Sequence, residues 1–460
     1  MKKNNNLYLI TTHSLFLTAA LMLVARGEKA AQTLAFGIFA AGFALLLRYP
    51  EALVAAVNAV PFLGAFSYGG VTALIALLVL MALVICWRLA RRPTHLFNLA
   101  IMLTLLFFAY LVLNWYLSGQ VDEEGGAGKL RLYFIRGVIP VALVLTLDDT
   151  LNRLRGFLFS WVSFALLSSL MIVATYLGLA SLSGADWGGS GRIGLFGFDP
   201  ISFSLPIGIA GIILVHYFLH ATHAMLKPVI LALFGFMFFS LFPTGSRQTL
   251  LAMAVGILVY TFIAYRSFFG KALAAMVVLL ALLAAFFGVA GRYKSDRFDV
   301  MAEGYAKNSS FQGRMITLER GMETFRGAPL FGVGLGGHGK YIYTTNPHTG
   351  KRVKDKEHVH NLFVELLAEQ GIVGLTLFLL PLAMVCWQLS RRLREGQTDQ
   401  HFRTHAGLLF ALLAFALLQA NISGGISVSG AFMTTLVAWA SMLSRKPNDQ
   451  TPLLREQQPA

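Results

Sequence analysis

Apolar residues in this chain fall in long, nearly unbroken runs separated by short polar connections. Runs near residues 7–25, 31–47, 70–88, 96–117, 131–147, 156–180, 201–219, 226–242, 248–265, 272–290, 371–389, 405–424 and 426–443 are each long enough to cross about 30 Å of hydrocarbon. A weaker run at 51–66 is a doubtful addition. Backbone groups left unpaired in lipid are costly, so each run is predicted to be a helix. The expected fold is all-α: a polytopic membrane protein built as a bundle of about 12 to 14 transmembrane helices.

One region breaks the pattern. Residues 291–360 are too polar to cross, and a loop that long inside a compact fold is usually functional or disordered. Within it Phe311, Met315, Leu318, Met322 and Phe325 recur at spacings of three and four. That period predicts an amphipathic helix over 311–326, lying on the bundle or at the lipid surface. Next comes the Pro/Gly-rich stretch from Ala328 to His338, which contains a formal G-x-G-x-x-G at Gly332, Gly334 and Gly337. With no preceding strand and no βαβ unit the dinucleotide reading fails its context test, and a flexible loop approaching the bundle is predicted instead. The chain therefore divides into helices over 1–290, a large loop over 291–360, and helices with a tail over 361–460.

Composition agrees with this pattern. The chain has 460 residues, 56% of them apolar and 13% charged, with a mean hydropathy of +0.66, which excludes a soluble domain. Arg88, Arg91, Arg92, Arg153, Arg155, Arg391, Arg392, Arg394, Arg445 and Lys446 fall in connections that alternation puts on one side, predicted to be cytoplasmic. Lys2 and Lys3 favour a cytoplasmic start, so both termini are expected there. The large loop then faces the opposite compartment, which for a bacterial inner membrane is the periplasm. Leu7 to Ala25 is followed by Arg26 and Glu28, not a cleavage site, and reads as the first anchor. The formal charge of +15 is shared between this topogenic bias and a basic loop. No basic helix with interleaved aromatics stands outside the membrane, so nucleic acid is not an expected partner. Cys86 and Cys386 supply neither a disulfide framework nor a cysteine metal site.

Candidate chemistry gathers on the loop side. Of the histidines there, His338 and His348 read as solvated or structural, and the His358/His360 pair lacks a third ligand, so no metal is expected. His360 differs in position because it precedes the helix that begins near Asn361. The positive end of a helix dipole disfavours imidazolium, and an imidazole kept neutral can accept a proton. Asn361 either caps that helix or orients the ring. Gly371 and Gly374 are one turn apart and let another helix approach closely. Arg192 lies in a glycine-rich segment, Arg247 in the tight turn Thr244-Gly245-Ser246-Arg247, and Arg314 beside the amphipathic stripe. Singly each fits a topological or snorkelling role. Together they place several forked donors on the face of His360, and such donors suit phosphate oxygens.

His360-Asn361, nine residues, Gly371, two residues, Gly374 resembles the H-[NSQ]-x9-G-x-x-[GTY] signature of the bacterial O-antigen ligase (WaaL) family, within the O-antigen ligase and polymerase superfamily. Ser246-Arg247, Gly313-Arg314 and the Pro329 to Gly334 turn extend the resemblance over about residues 240–385. It implies a glycosyltransferase that moves a polysaccharide from undecaprenyl diphosphate to lipid A-core, with no cofactor and no metal. His360 would be the base that deprotonates the acceptor hydroxyl. Arg247 and Arg314 would bind the diphosphate and stabilise its departure, Arg192 would be a third ligand, and Asn361 and His338 further substrate contacts. An O-antigen polymerase using lipid-linked repeats shares these motifs, and protein O-oligosaccharyltransferases are related. A lipid-linked glycan transporter is the alternative of another class. It predicts ionisable groups near mid-span.

Overall fold

The structure, a computed structural model, describes residues 49–59, 67–68, 71–91, 98–119, 123–147, 149–179, 200–264, 309–338, 341–345, 352–356, 359–395, 400–423 and 425–444. The expected spans at 7–25, 31–47 and 272–290 lie outside the described residues. Two helices come first, α1 (Pro50–Ala59) and α2 (Ala73–Arg91), then α3 (Leu99–Leu117). A helix with two π segments follows: a π-turn at Glu123–Ala127 (π1), α4 (Gly128–Tyr133), a second π-turn at Phe134–Val138 (π2) and α5 (Ile139–Leu145). Beyond it run α6 (Thr150–Tyr176), α7 (Pro200–His220), α8 (Leu226–Thr244), α9 (Arg247–Ala264), α10 (Ser309–Gly327), α11 (Leu362–Arg394), α12 (Gln400–Ser423), a π-turn at Ile426–Gly430 (π3) and α13 (Ala431–Leu443). Among the described residues, eight helices are long and apolar enough to cross a membrane. The protein is an all-α, multi-pass membrane protein.

Two expectations change in detail. The described part of the doubtful 51–66 run is α1, whose ten residues extend only about 15 Å and are buried against α6. Its Glu51, 3% exposed, pairs with Arg153 at 3.0 Å. The loop also holds a small antiparallel hairpin, β3 (Tyr341–Thr345) with β4 (Arg352–Lys356), after a shorter one, β1 (Ser67–Tyr68) with β2 (Val71–Thr72). The β3 and β4 residues do not alternate cleanly between apolar and polar, so periodicity gave no strand signal there.

Packing fixes two ends. Helices α9 and α12 run antiparallel: Gln400 Nε2 donates to the Ala264 carbonyl at 3.3 Å. Further along, a Cβ at Gly256 would stand 3.2 Å from the Ala411 carbonyl, the close approach that small residues allow between membrane helices. Where α2, α5, α11 and α13 finish and α6 and α12 begin, arginines collect. Arg88 Nη1 donates to the Thr146 carbonyl at 2.9 Å, and Arg392 Nη1 to the Leu443 carbonyl at 2.9 Å while lying 4.4 Å over the Phe402 ring. Arg155 meets His401 there as well. We call this the basic end. The opposite end carries α10 and the start of α11, and we call it the loop end.

Candidate functional site

At the loop end the chain turns sharply into α11. Asn361 is the N-cap: its side chain accepts from the Phe363 and Val364 amides at 3.0 and 3.1 Å, satisfying two of the donors a helix start leaves over. Its Nδ2 donates to the Asn421 carbonyl at 3.0 Å and to Asn421 Oδ1 at 2.6 Å, which ties the start of α11 to the end of α12. Asn361 thus caps the helix, one of the two roles its position allowed. His360 is exposed and has φ 56°. A left-handed conformation costs a side-chain-bearing residue roughly 1–2 kcal/mol, so the surrounding bonds hold His360 in a strained turn.

The second feature is a break in α11. Gly371 has φ 64° and ψ −169°, which divides the helix into 362–370 and 372–394. The Pro/Gly turn fills the break. The Val333 and Gly334 amides donate to the Ala368 and Glu369 carbonyls at 3.0 and 2.9 Å, and the Ile372 and Val373 amides donate to the Pro329 and Leu330 carbonyls at 2.9 and 3.2 Å. Asn114 Nδ2 and Tyr110 Oη on α3 donate to the Phe331 and Gln370 carbonyls at 2.8 and 2.7 Å. A Cβ on Gly371 would lie 2.2 Å from the Leu330 carbonyl oxygen, and one on Gly332 would lie 2.3 Å from the Glu369 carbonyl carbon. The expectation of a flexible loop is therefore corrected: the turn is docked by main-chain hydrogen bonds. Gly371 admits this turn rather than a second helix, while Gly374 faces Tyr110 of α3, 3.0 Å from a would-be Cβ.

Helix α10 lies where the amphipathic stripe put it, with Leu318, Met322 and Phe325 half-buried, but its most buried residues stand beside the stripe. Thr317 and Gly321 are inward, and a Cβ on Gly321 would stand 2.7 Å from Val364 Cγ1. Met315 and Ile316 are about half exposed. Thr317 Oγ1 donates to the Arg314 carbonyl at 3.0 Å and reaches the Val359 carbonyl at 3.5 Å, so Arg314 and His360 flank the same corner. His338 is 6% exposed, with Nδ1 2.9 Å from Thr324 Oγ1, and braces the turn against α10.

Arg247 opens α9 directly after Gly245 (φ 61°) and Ser246. Ser246 Oγ lies 2.8 Å from both Ser204 Oγ and Thr249 Oγ1 in a buried hydroxyl trio. Arg247 and Asn421 stand nine and ten residues from the facing Gly256 and Ala411. At about 1.5 Å per residue both helices rise about 14 to 15 Å from that level, so Arg247 shares the loop end with Asn421 and Asn361. Arg192, His348 and His358 lie outside the described residues.

Sequence reasoning passed over a charged cluster beneath this corner. Lys129 of α4 bonds Glu365, and its Nζ stands 2.7 Å from Glu369 Oε1, with side-chain exposures of 17%, 10% and 2% for Lys129, Glu365 and Glu369. Glu365 Oε2 also accepts from the Ile426 amide at 3.2 Å. Two acids four residues apart at the start of an apolar run were the available signal. Arg136, seven residues beyond Lys129, is a further charge within a span, and its Nε is buried with no hydrogen-bond partner among the described residues.

Residues 232–379 match the family described as O-antigen ligase. Over 373 residues, 76% of this chain and 74% of the relative, the chain is 23% identical to the teichuronic acid biosynthesis protein TuaE of Bacillus subtilis (strain 168). The matched segment runs from within α8 through α10 and the docked turn into α11, so the part of the chain that is similar to the O-antigen ligase family contains Arg247, Arg314, His360 and Gly371 together.

Proposed function

We propose that this protein is an undecaprenyl diphosphate-dependent glycosyltransferase that ligates O-antigen polysaccharide onto lipid A-core at the periplasmic face of a bacterial inner membrane. The observation that carries this reading is His360, exposed at the capped start of α11 and flanked by the helix of Arg314. His360 takes the proton of an acceptor sugar hydroxyl as that oxygen attacks the anomeric carbon of the donor. The bond from that carbon to the diphosphate breaks, and the lipid diphosphate leaves with the bonding pair. Charge grows on the departing oxygen, where forked donors act most strongly. Arg247 and Arg314 are assigned to that role, with Arg192 as a third ligand. Attack from the face opposite the leaving group inverts the anomeric centre.

A second reading, polymerisation, has support in the likeness to a protein named for teichuronic acid biosynthesis. There the acceptor is another lipid-linked glycan. The lipopolysaccharide of a strain lacking the gene separates the two. Free core with accumulated lipid-linked polymer is the expected result; core capped by a single repeat would instead identify a polymerase.

A further inference from the structure

The break at Gly371 has a mechanical consequence. Residues 362–370 are not held in line by the rest of α11, so His360 is presented by a helical piece of two and a half turns whose position depends on lateral ties. One tie is Asn361 to Asn421, and another is the docked turn. The third is ionic: Lys129 reaches both Glu365 and Glu369, while Glu365 reaches on to the Ile426 amide. This single cluster joins the His360 segment to α4 and to the start of π3.

The charges are unequal. One ammonium serves two carboxylates, and all three side chains are at least four-fifths buried. Buried ions are costly without partners, and replacing such a set by apolar groups is often neutral for stability. Stability alone therefore gives no reason for these three groups, whereas holding a short helical piece in one register does. We propose that Lys129, Glu365 and Glu369 form a positioning clamp that sets His360 against the acceptor. This rests on the assignment of His360 as the base.

The test uses the full chain in nanodiscs. Lys129→Met is expected to lower kcat by about 10- to 100-fold, the scale of a small misplacement of a catalytic group, with the KM for lipid-linked donor unchanged. Hydrogen exchange should quicken in 362–370 and not in α9 or α12. Because Lys129→Met leaves two buried acids unpaired and is prone to misfold, Lys129→Met/Glu365→Gln/Glu369→Gln is made beside it. That triple variant removes every charge, and it should regain abundance while its kcat stays low. A triple variant with wild-type kcat would show that the lysine merely neutralises the acids, and unchanged exchange in 362–370 would equally overturn the clamp. If the wild-type protein transfers nothing from any lipid-linked donor, the ligase reading fails, and hydrogen exchange still decides the clamp.

Discussion

The two ends of the bundle share buried ion pairs, Glu51 with Arg153 at one and Lys129 with Glu365 and Glu369 at the other, but differ in how their helices end. At the basic end arginines close helices: Arg88 and Arg392 donate to the Thr146 and Leu443 carbonyls, groups a helix terminus leaves unsatisfied and where positive charge is favoured. At the loop end the helix start is already satisfied by Asn361, and the helix is broken at Gly371. There His360 is exposed in a strained turn, and Lys129, Glu365 and Glu369 are buried in an unequal ion cluster. An arginine that completes a helix explains itself. A strained histidine beside a broken helix does not, and this asymmetry is why we propose chemistry at the loop end and a topological role for the basic end.

The sharpest way to break that contrast is to alter His360. His360→Ala should lower transfer from purified lipid-linked donor by about 100- to 10,000-fold, with protein abundance unchanged. His360→Gly should be equally inactive yet more stable by about 0.5 to 1 kcal/mol, because glycine tolerates the left-handed turn. A thermal melt reads that gain. An active His360→Gly protein would remove the base from the scheme.

Gly371→Ala comes next. A methyl there meets the Leu330 carbonyl and the backbone resists a positive φ. A loss of about 2 to 3 kcal/mol is expected, together with release of the turn, seen as proteolysis near 328–334. Transfer should fall by about 10- to 100-fold as the His360 segment shifts. Arg247→Lys and Arg314→Lys, which keep charge but lose the fork, should each lose about tenfold or more. Wild-type rates in both would return these arginines to the topological class.

Much of this contrast was legible in the chain. Hydropathy located the spans that became α3, α6 to α9, α12 and α13, and charge placement grouped Arg88, Arg153, Arg155 and Arg392, because lipid imposes helix and arginine stays at helix ends. The start of α11 at Asn361 was legible, but the break at Gly371 was not, because that glycine read as a place for another helix to approach. Nor did the sequence disclose the partner in that break. The contact of Gly371 with Leu330 joins residues 41 positions apart, and it is made by main-chain atoms that no side-chain pattern encodes. Helix α10 was legible from its apolar stripe, but the tightest contact beside it, Thr317 and Gly321 on Val359 and Val364, was not, since close approach selects small residues over large ones. The clamp was missed because Lys129 pairs across the bundle with acids 236 and 240 positions away.

The smallest effect is expected where the contrast says charge is only structural. Arg88→Lys and Arg392→Lys each keep a cation beside a helix-terminal carbonyl, so the helix end remains satisfied by one donor in place of a guanidinium. The net worth of such a bond is about 1 kcal/mol, and part of it survives in lysine. Melting temperature should drop slightly, more for Arg392→Lys because the stacking of the planar guanidinium on Phe402 is also lost. Transfer rate per folded molecule should stay within about twofold, since an effect of this size is spent on folding rather than on a reacting group. A tenfold fall in kcat from either substitution, with the protein fully folded, would mean that the two ends are coupled and that the basic end does more than fix topology.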